Sequence, residues 1–298
     1  MTQVWRDVEI AVPHLFSWRE VLAYLNRSPN ECLHRVTNDE VWKYIDLSGQ
    51  RVLLRVGVKN EDTLRVAYLS DRPGDHQVVQ YVREWFDLDR DLTPFYALAE
   101  ANSLLQPLTL AHRGLRIVGV QDLFEALCWA VIGQQVNLAF AYTLKRKLVE
   151  TYGDSMTLNG NQYWLFPRPE SLASASVSHL RALQLTERKS EYLIGIAQRM
   201  VDGRLSKQGL QALGSGMAAE RELCRIRGIG PWSANYVLMR CLRWQDAFPI
   251  QDAGLHQAVQ RRLGWDRKPT LAELEALSRG WEGWRAYAVF YLWQSLLS

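Results

Sequence analysis

The segment Gly228-Ile229-Gly230-Pro231-Trp232 constrains this chain more than any other. Helix-forming sequence lies on both sides of it, so two helices must meet across a tight turn. Gly tolerates the left-handed backbone angles such a turn needs, and Pro231 is pre-set for the first helical position. A hairpin of this kind leaves backbone N–H groups unpaired at a helix N-terminus, where they can hold a phosphate. Arg225 and Arg227 precede it and can approach the same phosphate, a contact that positions a duplex without reading its sequence. The plainer alternative is an ordinary turn between helices with glycine ends. Twenty residues after Trp232 comes Asp252, at the head of the apolar-periodic segment 253–263. A phosphate-gripping hairpin followed by a lone carboxylate points to DNA binding joined to chemistry on a base.

The rest of the chain permits this and excludes several other classes. With 48% hydrophobic and 22% charged residues in 298, a packed core is expected and disorder is not. The net charge of +3 allows a nucleic-acid partner if the basic residues cluster, but does not demand one. The four cysteines, Cys32, Cys128, Cys224 and Cys241, form no CxxC pair, so reduced thiols in a cytoplasmic protein are expected. The six histidines show no metal-ligand spacing. The first residues lack the basic-then-apolar pattern of a signal peptide. No stretch approaches the roughly 18 apolar residues of a membrane span.

Two regions are expected. Segment 8–12 alternates as a strand and 17–26 as an amphipathic helix, with Ser17 and Glu20 spaced for a capping box. Segments 41–47 and 50–56 flank Gly49 as a β-hairpin, 63–69 reads as a further strand and 75–86 as a helix. From residue 88 nearly every periodic segment is helical: 120–133, 137–152, 178–185, 187–201, 220–227, 232–242, 253–263, 271–278 and 284–297, with 166–170 a loop. The fold class is α+β, an N-terminal antiparallel-sheet domain over residues 1–105 followed by an all-α region over 106–298.

Each candidate residue has a plain alternative. Asp252 has the position of a helix N-cap. The two roles are compatible, since negative charge is favoured at a helix N-terminus and a carboxylate there can face the positive charge that grows on a sugar as its base departs. Trp232 and Tyr236 are four apart and share a helix face, and Trp293 ends the aromatic run 287–293. Core packing is the default for all three. Twelve tryptophans are unusual core filler, however, and a pocket for an extruded base needs aromatic faces. A methylated, cationic purine also gains from cation–π attraction. Gly133-Gln134-Gln135 interrupts an apolar helix with two amides, either a solvated helix end or groups that donate to a base edge or fix the minor-groove side of a duplex. His256 reads as a helix-surface histidine rather than a general base.

Taken together, residues 223–252 resemble the helix–hairpin–helix plus Gly/Pro…Asp signature of the base-excision DNA glycosylases. Gly133-Gln134-Gln135-Val136, the run from Gly228 to Tyr236, and Arg285-Ala286-Tyr287-Ala288 with Leu292-Trp293 are most similar to the DNA-3-methyladenine glycosylase II family within the HhH-GPD superfamily. The resemblance covers about residues 110–298. The first hundred residues agree in pattern with that family's N-terminal domain, whose sheet is like that of the TATA-binding protein. The resemblance implies an enzyme that flips and excises alkylated purines from double-stranded DNA, acts as a monomer and uses no cofactor. It places Asp252 on the essential aspartate, Trp232, Tyr236 and Trp293 in the base pocket, and Gln134 at the pocket edge. Gly228, Ile229 and Gly230 fall on the hairpin that holds the DNA backbone. The carbonyls of Cys224, Ile226 and Ile229 fall where relatives can hold a monovalent cation. Some relatives carry a four-cysteine iron–sulfur loop near the C-terminus; no cysteine follows Cys241, so none is expected. Bifunctional members keep a lysine where Trp232 stands. Without that amine no Schiff base forms there, which implies a monofunctional enzyme that leaves an abasic site. The alternative is a DNA-damage binding protein that has kept the fold and lost catalysis.

Overall fold

The computed structural model describes residues 4–70 and 74–297. Strands β1 (Val4–Ala11), β2 (Arg35–Thr37), β3 (Glu40–Leu47), β4 (Gln50–Asn60) and β5 (Thr63–Ser70) form one antiparallel sheet in the order β1-β5-β4-β3-β2. Ser48 and Gly49, at φ +54° and +88°, close the β3–β4 hairpin with Leu47 opposite Gln50. Two successive positive φ values give the turn whose twist matches the strands. Along β4 the consecutive Val52, Leu53 and Leu54 are all buried, because both faces of the sheet are covered. Val52 and Leu54 belong to the main core with Val21 of helix α1 (Trp18–Leu25) and Val82 of α2 (Asp75–Trp85). Leu53 joins Tyr44, Leu69 and Tyr163 in a smaller cluster on the other face.

Tyr163 lies on a second hairpin, β6 (Ser155–Leu158) and β7 (Asn161–Trp164), and stacks on Trp42 at 5.8 Å and 27°. This hairpin departs from the expected all-helical second region. Its Asn159-Gly160 turn, at φ +49° and +74°, was the available signal. The three-residue β2 was equally unexpected. The capping box is only half made: Ser17 accepts the Glu20 N–H at 3.4 Å, but the Glu20 carboxylate turns to His112 Nδ1 at 2.9 Å.

The helical region comprises α3 (Thr93–Glu100), α4 (Gln106–Ala111), α5 (Leu123–Ile132), α6 (Leu138–Tyr152), α7 (Pro169–Ala173), α8 (Val177–Ala182), α9 (Glu187–Val201), α10 (Lys207–Gln211), α11 (Gly216–Cys224), α12 (Pro231–Arg240), α13 (Ala253–Leu263), α14 (Leu271–Ser278) and α15 (Arg285–Gln294). Helix α11 begins earlier than the periodicity suggests because Ser215 caps it, accepting the Ala218 N–H at 3.1 Å. Helix α7 starts inside the expected loop, with Pro169 at its first turn. Helices α5, α12 and α15 are buried almost all round and form the centre against which α9, α11 and α13 pack.

One hydrophobic core runs from the sheet through these central helices. Polar ties reinforce the passage between them. The guanidinium of buried Arg116 donates to the carbonyls of Leu15 (2.7 Å), Arg90 (2.9 Å) and Asp87. The Asp87 carboxylate takes Arg243 at 2.7 Å, Arg90 at 2.9 Å and the Tyr287 hydroxyl at 2.5 Å. Burial opposes its charge, but the two guanidiniums outweigh that and hold its pKa below the usual range. Among the described residues no helix is long and apolar enough to cross a membrane.

Candidate active site and nucleic-acid interface

Asp252 is the N-cap of α13, and Oδ1 accepts the Leu255 N–H at 2.7 Å. Two indoles complete its surroundings. Trp293 Nε1 donates to Oδ1 and Trp232 Nε1 to Oδ2, both at 2.8 Å. Three N–H groups from three helices therefore aim one carboxylate, the acceptor-only arrangement that an ionised carboxylate makes. Oδ1 is saturated, whereas Oδ2 keeps a lone pair. Gly254 makes the arrangement possible: a Cβ there would stand 3.0 Å from Oδ1 and 3.4 Å from the Trp293 ring. Its role was missed in the sequence, although its position two residues beyond Asp252 was the clue.

The aromatic side chains come together as well. The Trp232 and Tyr236 rings lie 6.1 Å apart at 30°, and Tyr236 and Trp293 lie 6.4 Å apart at 34°. Their surfaces are not equivalent. Trp232 and Trp293 are partly exposed, but Tyr236 is only 5% exposed and Arg240 lies 5.6 Å from its ring centroid. The protein's own guanidinium thus takes up cation–π attraction that Tyr236 was expected to offer a base. The stacking surface presented outward is chiefly that of the two tryptophans.

The hairpin between α11 and α12 has the expected form, but its two glycines differ. Gly228 has φ +95°, and a Cβ there would overlap the Tyr192 ring. Gly230 has extended backbone that any residue adopts (φ −97°, ψ −179°), and nothing lies within 4 Å of where its Cβ would stand. Only Gly228 is demanded by the turn; Gly230 leaves the approach from solvent clear. The Ile226 carbonyl accepts the Ile229 N–H at 3.0 Å, closing the turn, and retains a second lone pair. An open depression of about 480 Å³ is lined by residues 224–230 with Gln134 and Tyr192. The guanidiniums of Arg225 and Arg227 are each about three-quarters exposed and pair with Glu222 (2.7 Å) and Glu191 (2.8 Å). Such exposed pairs are weak, so a phosphate can compete for the arginines.

Gln134 ties its loop to the hairpin. Its Nε2 donates to the Gly228 carbonyl at 2.8 Å and to Ser233 Oγ at 3.1 Å. Both amide hydrogens therefore fasten the α5–α6 loop to the hairpin, and only the amide oxygen remains for a base edge. Lys189 holds the same loop from below, donating to the carbonyls of Ile132 (2.8 Å) and Gln134 (2.7 Å). Next to Gln134, exposed Gln135 has φ +55°, a rare conformation for a side-chain-bearing residue. His256 is partly buried rather than on the surface. Its Nε2 and Nδ1 each lie 3.0 Å from a carbonyl, of Ile250 and Pro269 respectively, so it joins two loops. The sequence signals for the Lys189 and His256 contacts were absent, because both partners are backbone atoms.

The site thus joins a helix–hairpin–helix to a carboxylate hydrogen-bonded by two partly exposed tryptophans. Comparisons with known proteins identify the family. Residues 8–122 match the AlkA N-terminal domain and residues 128–283 match the HhH-GPD superfamily base excision DNA repair protein family. The chain is 46% identical to the DNA-3-methyladenine glycosylase of Bacillus subtilis (strain 168), over 98% of this chain and 99% of that protein. It is 32% identical to DNA-3-methyladenine glycosylase 2 of Escherichia coli (strain K12), over 64% of each. The fold of a 3-methyladenine DNA-glycosylase from Archaeoglobus fulgidus superposes with a TM-score of 0.79 at 23% identity, covering 96% of this chain and 97% of that one. The chain belongs to the HhH-GPD superfamily and, within it, to the DNA-3-methyladenine glycosylases. It is an enzyme that hydrolyses N-glycosyl bonds.

Proposed function

We propose that this enzyme is a monofunctional DNA glycosylase that excises alkylated purines from duplex DNA in base excision repair and leaves an abasic site. The observation that carries the reading is the Asp252 carboxylate, fixed by Trp232, Trp293 and the Leu255 N–H. An alkylated purine already bears positive charge, so it departs with little acid catalysis. What the reaction needs is a fixed negative charge beside the sugar as the oxocarbenium ion develops. The hydrogen bonds on Oδ1 suit Asp252 to that role, with Oδ2 nearest free to face C1′ or the incoming water. The hairpin amides and the Arg225 and Arg227 side chains hold the backbone, and the tryptophans stack on the flipped base. A monovalent cation at the carbonyls of Cys224, Ile226 and Ile229 would add positive charge where the phosphate docks. In this reading the enzyme works in the cytoplasm as a monomer and needs no cofactor.

The test is release of methylated purines from treated duplex DNA, followed by strand analysis. Base release with intact strands that break only on heat or alkali is expected. Borohydride should trap no covalent complex, because Trp232 stands where a Schiff-base lysine would be needed. A trapped adduct would overturn the monofunctional reading. DNA retention without base release would favour a damage-binding protein instead.

A further inference from the structure

Helix α9 packs against α5 and backs the hairpin. Its Tyr192 ring fills the space that a Cβ on Gly228 would need, and its Glu191 pairs with Arg227 at 2.8 Å. On the same helix Lys189 is buried. Among the described residues no carboxylate pairs with it, and burial alone moves its pKa, downward. The ammonium donates instead to the carbonyls of Ile132 at 2.8 Å and Gln134 at 2.7 Å. A buried charge without a counter-charge is costly. Capping of α5 accounts for one of its bonds, because Ile132 is the last residue of that helix and positive charge is favoured there. It does not account for the other, since Gln134 lies beyond the helix end.

The two carbonyls bracket Gly133, so drawing both to one ammonium fixes the turn between them. The next peptide is fixed as well. A trans amide points its N–H opposite to its C=O, which turns the Gln135 N–H away from Lys189. Gln135 is exposed at φ +55°, a conformation that persists where the surroundings over-determine it. The turn also borders Trp232: a Cβ on Gly133 would stand 3.8 Å from Cη2 of that ring. Elsewhere on the same indole, Nε1 donates to Asp252 Oδ2 at 2.8 Å. Gln134 Nε2 ties the turn to Ser233 Oγ at 3.1 Å, next in sequence to Trp232. A continuous set of contacts thus runs from Lys189 through the Gly133 turn and the Trp232 ring to the carboxylate.

We propose that Lys189 is a positioning residue for base release: it holds the Gly133 turn against Trp232 and, through that indole, keeps the Asp252 carboxylate aimed at the sugar. The proposal rests on the glycosylase reading above. Lys189 itself touches neither the carboxylate nor the reacting atoms. As the glycosidic bond breaks, positive charge develops on the sugar, and its stabilisation depends on where the carboxylate oxygens stand. Displacing a reacting group by about 1 Å can cost roughly 10²-fold. Without the ammonium the turn loosens, the benzo edge of Trp232 loses its backing, and Asp252 loses part of its aim. The loss therefore falls on the chemical step. Duplex binding, which the hairpin supplies, is spared.

The test is a double-mutant cycle with Asp252, because a contact path is established only by coupling. Single-turnover release of 7-methylguanine at saturating enzyme, Kd for an undamaged duplex and Tm are to be measured. The proteins are wild type, Lys189→Met, Asp252→Asn and the double variant. Lys189→Met keeps an unbranched side chain and removes the donors. It should slow release roughly tenfold, a fraction of the cost of a full misplacement, with Kd within about twofold of wild type. In the Asp252→Asn background the same substitution should cost less than about threefold, since residues acting as one unit are not additive. Equal falls in both backgrounds would make Lys189 independent of Asp252 and overturn the proposal. An unchanged rate, or a rise in Kd large enough to explain the fall, would do the same. Should Lys189→Met not fold, Lys189→Gln, which keeps a donor for one carbonyl, decides by the same cycle. Failure of both to fold would make Lys189 a folding residue and would also overturn the proposal. No release by wild type would overturn the glycosylase reading instead.

Discussion

Little of the catalytic role proposed for Asp252 lies in its own side chain. Its position is set by a helix N-terminus, its orientation by two indole N–H groups, and its clearance by the missing side chain of Gly254. Asp252→Asn should cut base release by at least roughly 10²-fold, the size seen when one electrostatic stabiliser is lost. The amide also presents a donor toward a tryptophan N–H, so its neighbours lose an acceptor. DNA affinity should change little, because the phosphate contacts proposed above lie at the hairpin; near-normal turnover in a folded variant would remove Asp252 from the chemistry. Gly254→Ala is the subtler experiment. An added Cβ at 3.0 Å from Oδ1 must move the carboxylate or the Trp293 ring by a few tenths of an ångström. Small displacements of this kind are costly to catalysis, so turnover should drop while Tm and duplex binding stay near wild type. A loss of Tm in step with the loss of turnover would show that Gly254 serves the helix rather than the carboxylate.

At the scale of elements, the hairpin separates two roles that the sequence presents as one. Gly-Ile-Gly-Pro announces a turn and the start of α12, and the structure places both there. What spacing alone could not show is that Gly228 answers to Tyr192, thirty-six residues earlier, while Gly230 answers only to solvent. The two glycines should therefore fail differently. Gly228→Ala requires a side chain at φ +95° and a shift of the Tyr192 ring, and should cost more than about 1 kcal/mol of stability. Gly230→Asp should unfold at the wild-type temperature yet bind damaged and undamaged duplexes more weakly by a similar factor, since phosphate contacts carry no base information. A binding defect confined to damaged DNA would move the hairpin into the base pocket. Helices α9 and α13 were legible because amphipathic periods of three or more turns announce them. The β6–β7 hairpin was not, because four-residue strands carry too few alternations to outweigh a helical context. Gln134 was legible as special through its break in an apolar helix. Its partner, a backbone carbonyl on the hairpin, was not.

At the scale of the whole molecule, the site depends on a junction between sheet and helices that catalysis does not use. The segment after α1 crosses to α6, where Arg146 Nε donates to the Asn30 carbonyl at 3.1 Å and Lys145 grips Glu31. The same segment leads to His34, whose Nε2 lies 2.9 Å from the Leu25 carbonyl. Burial pushes the His34 pKa down to about 4, with Lys43 acting in the same sense and Glu31 against it. In the unfolded chain the ring titrates near its ordinary value of roughly 6.5. Between these values the unfolded state binds more protons, so stability is fully present above about pH 6.5 and is lost as pH falls through about 4. The ring keeps partial solvent contact, which reduces the effect to an expected 1–2 kcal/mol, about half of what the shift implies. Thermal unfolding of wild type should therefore shift to lower temperature between pH 7 and pH 4.5. His34→Gln supplies an amide N–H for the Leu25 carbonyl and has no proton to gain, so its profile should be flatter over that range. Because His34 stands apart from Asp252, the variant should retain base release at neutral pH. Parallel pH profiles for the two proteins would show that some other group loosens the junction in acid.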